Sequence, residues 1–211
     1  MAAGDFNGDG NLDVIDVNRD LNRGPEGIGI FLGNGDGTLG QHIHHEADFS
    51  LDHVAVGDFN GDGNLDAVVS SYTSPGFLGV YRGRGDGTLV GPFPVSHSLG
   101  LPSTILTGDY NQDGISDIVV VSSALHVLIG NGDGNFHSGG RYQTVPSEVA
   151  AQGDFNEDGI VDLAVAGATH PAGVDVLLGN GDGTFQPAIH NPSPPYVFSH
   201  LATPTLMGMA I

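Results

Sequence analysis

Aspartate and asparagine fall on alternate positions four times along this chain, the spacing that a hard cation demands. Residues 5–13 read D-F-N-G-D-G-N-L-D, and residues 58–66 repeat that string letter for letter. Variants follow at residues 109–117, D-Y-N-Q-D-G-I-S-D, and at residues 154–162, D-F-N-E-D-G-I-V-D. Calcium takes roughly six to eight oxygen ligands from a flexible loop. Asp5, Asn7 and Asp9 occupy loop positions 1, 3 and 5, so their side chains can converge on one point. Gly10 at position 6 permits the sharp turn, Asn11 at position 7 offers a backbone carbonyl, and Asp13 at position 9 closes the shell. The same roles fall to Asp58, Asn60, Asp62, Asn64 and Asp66, then to Asp109, Asn111, Asp113, Ile115 and Asp117, then to Asp154, Asn156, Asp158, Ile160 and Asp162. Apolar Ile115 and Ile160 suit position 7, where only the carbonyl ligates. The alternative is a set of Asx turns that holds no metal. Four copies with every ligand position filled favour about four Ca2+ sites.

The elements around these loops are strands. An EF-hand needs a Glu at position 12 and flanking helices, but position 12 is Asp16, Val69, Val120 and Val165. The residues after the loops include A-V-V-S, I-V-V-V and L-A-V-A, short β-branched runs that read as buried strands. A second signature accompanies each loop: L-G-N-G-D-G-T-L at residues 32–39, Y-R-G-R-G-D-G-T-L at 81–89, I-G-N-G-D-G-N-F at 129–136 and L-G-N-G-D-G-T-F at 178–185. Such Gly/Asp-rich turns between apolar runs mark hairpins. In the second unit the pattern predicts strands at 54–59, 65–70, 78–83 and 88–96. The loops start at residues 5, 58, 109 and 154, at intervals of 53, 51 and 45. Four antiparallel strands per repeat of that length is the size of a propeller blade.

Composition narrows the partners. The 211 residues include 35 Gly and 12 Pro and show no long 3.6-residue periodicity, which argues for an all-β chain. Of 25 acidic residues, 13 lie in the four loops, so the net charge of −20 is mostly site chemistry. Five Lys and Arg argue against nucleic acid or an anionic membrane. No cysteine is present, so disulfides do not brace the fold. No signal peptide or transmembrane stretch is recognisable, and Met1 runs straight into the first repeat. Weak calcium sites fill where calcium is abundant, which points to an extracellular or cell-surface location.

The loops together with the L-G-N-G-D-G-T-F turns resemble the FG-GAP/VCBS repeat family, related to the integrin α-subunit propeller. The resemblance covers about residues 1–190. It implies a β-propeller, usually of seven blades, with calcium at the loop positions named above, as found in adhesins, lectins and accessory domains of secreted enzymes. Only four blades are present here, at about 1–48, 49–98, 99–145 and 146–190. The Pro-rich tail 191–211 carries no fifth loop near residue 204 and reads as a closing or fifth-blade strand. Three arrangements stay open: a fragment of a longer propeller, a small four-bladed ring, or a half-ring that self-associates.

Other candidates have plainer explanations. Asp36, Asp86, Asp133 and Asp182 recur in the Gly-rich turns, as turn caps or a second cation site. Arg84-Gly85-Asp86 spells an integrin-recognition tripeptide but occupies a slot that is Asn-Gly-Asp elsewhere. His42, His44 and His45 cluster in an expected outer strand, and alternation puts His42 and His44 on one face, as a transition-metal pair or as a plain exposed strand face. Phe77, Tyr81, Phe93, Tyr142 and Tyr196 are either sugar-stacking platforms or core. No G-x-S-x-G, Walker or H-E-x-x-H motif occurs. The expected function is a non-catalytic calcium-binding module for adhesion or for protein or glycan binding. The alternative is an accessory propeller of a secreted polysaccharide hydrolase or lyase.

Overall fold

Among the described residues sixteen strands, all antiparallel to their neighbours, make up the regular structure. The computed structural model describes residues 1–18, 26–47, 50–71, 77–96, 99–145, 149–167 and 173–192. The tail 193–211, with the strand expected there, lies outside these residues, as do His97, His170, Tyr196 and His200. Blade one holds β1 (Ala2–Gly4), β2 (Asp13–Asn18), β3 (Gly27–Gly33) and β4 (Leu39–Glu46). Blade two holds β5 (His53–Gly57), β6 (Asp66–Ser71), β7 (Phe77–Gly83) and β8 (Leu89–Ser96). Blade three holds β9 (Thr104–Gly108), β10 (Asp117–Val121), β11 (Leu125–Gly130) and β12 (Phe136–Tyr142). Blade four holds β13 (Val149–Gly153), β14 (Asp162–Gly167), β15 (Gly173–Leu177) and β16 (Ile189–Pro192). Each sheet pairs its strands in chain order, and no helix occurs among the described residues. The fold is therefore the all-β array of four-stranded propeller blades expected from the repeats.

The second strand of a blade shows why the sheets stack. Every residue of β6, β10 and β14 is buried. Their unbroken apolar runs are covered on both faces, so no polar alternation is needed. β2 differs, with Val14 and Asp16 only half-buried, because among the described residues no sheet lies on that side of blade one. The outer strands β4 and β16 are mostly exposed, β12 is half-buried to exposed, and none has a buried residue.

Three apolar cores join the four blades. Ile15, Ile28 and Ile30 of blade one meet Leu51, Ala67 and Val69 of blade two. Val68, Leu78 and Val80 meet Ile105, Ile118 and Val120. Val119, Val121 and Val127 meet Leu163, Val165 and Leu177. The innermost strands pack in the order β1, β5, β9, β13, and no comparable packing returns from β13 to β1 among the described residues. All four acidic loops lie between the first and second strands of their blades.

Candidate metal loops and blade junctions

Each loop is organised by its own side chains. Asp5 accepts the Gly8 and Gly10 N–H groups, both at 2.8 Å, and Asp9 accepts Asn11 N–H at 2.8 Å. Asp5 Oδ1 and Asn7 Oδ1 both reach the Asp9 N–H, at 3.3 and 3.1 Å, so positions 1 and 3 converge. The convergence recurs at Asp58 and Asn60 on Asp62 (3.3 and 2.9 Å), at Asp109 and Asn111 on Asp113 (3.0 and 3.1 Å), and at Asp154 and Asn156 on Asp158 (both 3.1 Å). Position 5 accepts the position-7 N–H in every copy, turning that residue's peptide in the same way: Asp62 to Asn64, Asp113 to Ile115 and Asp158 to Ile160, each at 2.8 Å. The hydrogen bond from Asn11 N–H holds the Asp9 carboxyl below its ordinary range, with the Asn7 amide adding to the effect. Gln112 and Glu157 keep the loop shape at φ 62° where the first two loops use glycine.

The Asp at position 9 has a second role that the motif does not reveal. Asp13, Asp66, Asp117 and Asp162 are fully buried. One carboxylate oxygen of each accepts the position-2 N–H, from Phe6, Phe59, Tyr110 and Phe155, at 2.8–3.1 Å. The other accepts a glycine N–H at 2.8 Å, from Gly33, Gly83 or Gly130 at the end of the third strand or from Gly179 two residues past β15. A Cβ on Gly33 would collide with the Leu12 carbonyl, and one on Gly83 with the Leu65 carbonyl. The first glycine of each L-G-N-G-D-G turn is thus required for close approach to the loop, and it was the available sequence signal for this bracket. Burial pushes the Asp66 carboxyl up to about 6, with Asp62 and Asp58 adding repulsion against the opposing backbone hydrogen bonds. Burial likewise raises Asp117.

The donors fit a hard cation. Every side-chain ligand candidate is an oxygen, which suits calcium and disfavours zinc or copper. Each carboxylate oxygen engaged by one N–H keeps a further lone pair. Positions 1, 3, 5 and 9, with the position-7 carbonyl, are the atoms that would hold the ion. Among the described residues no group of three or more His, Cys, Asp or Glu is already gathered around a metal-sized point. The loops stand in their self-bonded form, as the Asx alternative describes.

The remaining candidates resolve into structure. Asp36, Asp86 and Asp182 each accept both the N–H and the hydroxyl of the Thr two residues on, at 2.5–2.9 Å. Asp133 accepts the backbone N–H and the side-chain amide of Asn135, at 2.8 and 3.0 Å. These bonds lower all four carboxyl pKa values. Arg84 N–H bonds Thr88 in the way Asn34 bonds Thr38, so the Arg84-Gly85-Asp86 tripeptide is the same turn. His42 stacks on Phe31, with ring centroids 4.4 Å apart, and lies 6.2 Å from His44. His45 is on the other face and accepts Leu89 N–H of blade two at 3.3 Å. Among the described aromatic candidates, Tyr81 is core and Tyr142 accepts the Phe185 N–H at 2.9 Å. Phe93 is 41% exposed and lies beneath the Arg82 guanidinium.

The first three loops also latch onto the next blade. The Phe6 carbonyl accepts Gly87 N–H from the Gly-rich turn of blade two at 2.9 Å. Phe59 and Gly134, then Tyr110 and Gly183, repeat the bond at 3.0 Å. The loop's aromatic ring follows its carbonyl: Phe6 shares a core with Leu89, and Phe59 and Tyr110 make edge contacts with Phe136 and Phe185 at 5.6 and 5.7 Å. Sequence reading missed this junction, although position 2 is Phe or Tyr in every copy.

Residues 5–69 and 58–120 each match the FG-GAP-like repeat family. The chain belongs to the FG-GAP-like repeat family. No curated protein matches it in sequence. Among solved structures it is similar to an Agrocybe aegerita lectin studied for specific recognition of non-reducing terminal N-acetylglucosamine, at 22% identity and a TM-score of 0.61. That match covers 89% of this chain and 50% of the lectin. It is also similar to the V. cholerae biofilm matrix protein Bap1, at 20% identity and a TM-score of 0.51, over 90% of this chain and 28% of Bap1. This FG-GAP-like repeat chain thus spans half or less of either protein, and at these identities the likeness is one of fold. No helix among its described residues is long and apolar enough to cross a membrane.

Proposed function

We propose that this chain is a non-catalytic, calcium-stabilised binding module of an extracellular or surface protein, with a glycan or protein ligand. The observation that carries the reading is the fourfold recurrence of one all-oxygen loop, with positions 1 and 3 converged, at the same place in four blades. The ion would neutralise three clustered carboxylates per loop and hold the position-2 residue where it latches the next blade. Family membership supports a binding role, and the fold shared with a lectin and a biofilm matrix protein favours carbohydrate as the first ligand class to test. Isothermal titration of calcium into EDTA-stripped protein is expected to give about four sites. A glycan array that includes terminal N-acetylglucosamine, read with calcium and with EDTA, tests the ligand. Silence across the array in calcium would remove the glycan reading and leave protein adhesion.

A further inference from the structure

The three junctions use one repeated pair of parts, and the chain carries a fourth pair whose halves do not meet. Phe155 is the position-2 aromatic of blade four and is 47% exposed, whereas Phe6, Phe59 and Tyr110 are at most 3% exposed. Leu39 ends the Gly-rich turn of blade one and is 49% exposed, whereas its counterparts Leu89 and Phe185 are buried. Among the described residues no N–H meets the Phe155 carbonyl, and Gly37 N–H meets no loop carbonyl. Beside Leu39 an open groove of about 380 Å³ is lined by Asn11, Leu12, Gly37 and Leu39. Leu12 is 72% exposed there, while its counterpart Leu65 lies against Gly4 of the preceding blade.

We propose that this groove receives Phe155 of a second copy of the chain, so that copies join head to tail through a fourth junction of the same kind. Phe155 would cover Leu39, its carbonyl would accept Gly37 N–H, and Leu12 would meet Gly153. Continuity with the established junctions identifies the occupant: each copy carries both halves, at opposite ends of an array in which, among the described residues, no comparable packing returns from β13 to β1. Such a contact is heterologous, so it closes into a ring or grows. Two copies would make the fit twice, and eight blades fall within the roughly four to eight of known propellers. Asp16 stands on the face to be covered where the later blades have Val69, Val120 and Val165. A carboxylate there weakens the contact, which makes the association reversible.

Sedimentation velocity of the full chain in millimolar calcium, from low to high micromolar protein, is the test. Wild type is expected to associate with concentration. Phe155→Asp and Leu39→Asp should each weaken association at least about tenfold. Both residues are exposed, so the Tm of each variant should stay at the wild-type value and report an intact fold. An equimolar mixture of the two variants should regain association, because Leu39 of one and Phe155 of the other still form one unaltered junction. A wild type that stays monomeric throughout, single variants that associate like wild type, or a mixture no better than its components would each overturn the proposal. A monomer whose Tm falls in both variants would show instead that the chain closes on its own ends.

Discussion

At position 9 of each loop a fully buried carboxylate carries two backbone N–H groups, while at position 5 an exposed one carries the turn itself. The two should therefore respond differently to truncation when no cation is present. Asp117→Ala leaves the Tyr110 and Gly130 N–H groups without a partner in the interior, and each such loss costs about 1–3 kcal/mol. Asp113→Ala removes only exposed bonds and is expected to cost under about 1 kcal/mol. Urea denaturation in EDTA checks this. Equal losses would mean that position 9 is not a structural bracket. In calcium titration the order changes, and both variants should lose one site. The candidate ligand positions stand in the sequence as a spacing of oxygens along a single segment. The bracket was not legible there, because its second partner is a glycine from 13 to 20 residues away, whose recurrence in every turn signals a close approach without saying to what.

Strands were read from the sequence nearly to the residue: the second unit was expected at 65–70 and 78–83, and the structure places β6 at Asp66–Ser71 and β7 at Phe77–Gly83. Period and turn chemistry are local signals, so this success follows. The junctions are non-local, since Phe6 and Gly87 are 81 positions apart, and no local pattern pairs them. Their energetics can be separated by comparing equivalent residues. Phe59→Ala empties a fully buried edge contact with Phe136, for an expected loss of about 3–5 kcal/mol. Phe155→Ala at the matching position should change stability by less than about 1 kcal/mol in dilute monomer, by the same denaturation. His45 adds a pH-sensitive tie between blades one and two. Burial lowers its pKa below the ordinary histidine value, with His44 and Arg84 adding to the effect, and the Leu89 N–H needs the neutral ring. A depressed folded pKa means that the unfolded chain takes up the proton first. The stabilisation is therefore complete above pH ~6.5 and is lost as pH falls below it. Melting from pH 7.5 to 5 should show a smaller acid drop in His45→Gln than in wild type, and overlaid profiles would exclude the tie.

For the whole molecule, four loops without disulfides make calcium the candidate brace. A site with Kd near ~0.1 mM in ~2 mM calcium contributes about 1.8 kcal/mol. Four such sites are comparable to a domain's net stability of about 5–15 kcal/mol. EDTA is expected to lower the Tm by about 15 °C or more at this chain length. An unchanged Tm would mean that the self-bonded Asx form is the working state. The recurring latch has a further consequence, for the gene rather than the molecule. Since three loops fit the turn of the next blade through the same backbone bond, excising or duplicating one unit of 45 to 53 residues would leave that bond available at every surviving boundary. A change of length between the identical residues 5–13 and 58–66 would then exchange one loop for the same loop, and the turn that follows would still find its carbonyl.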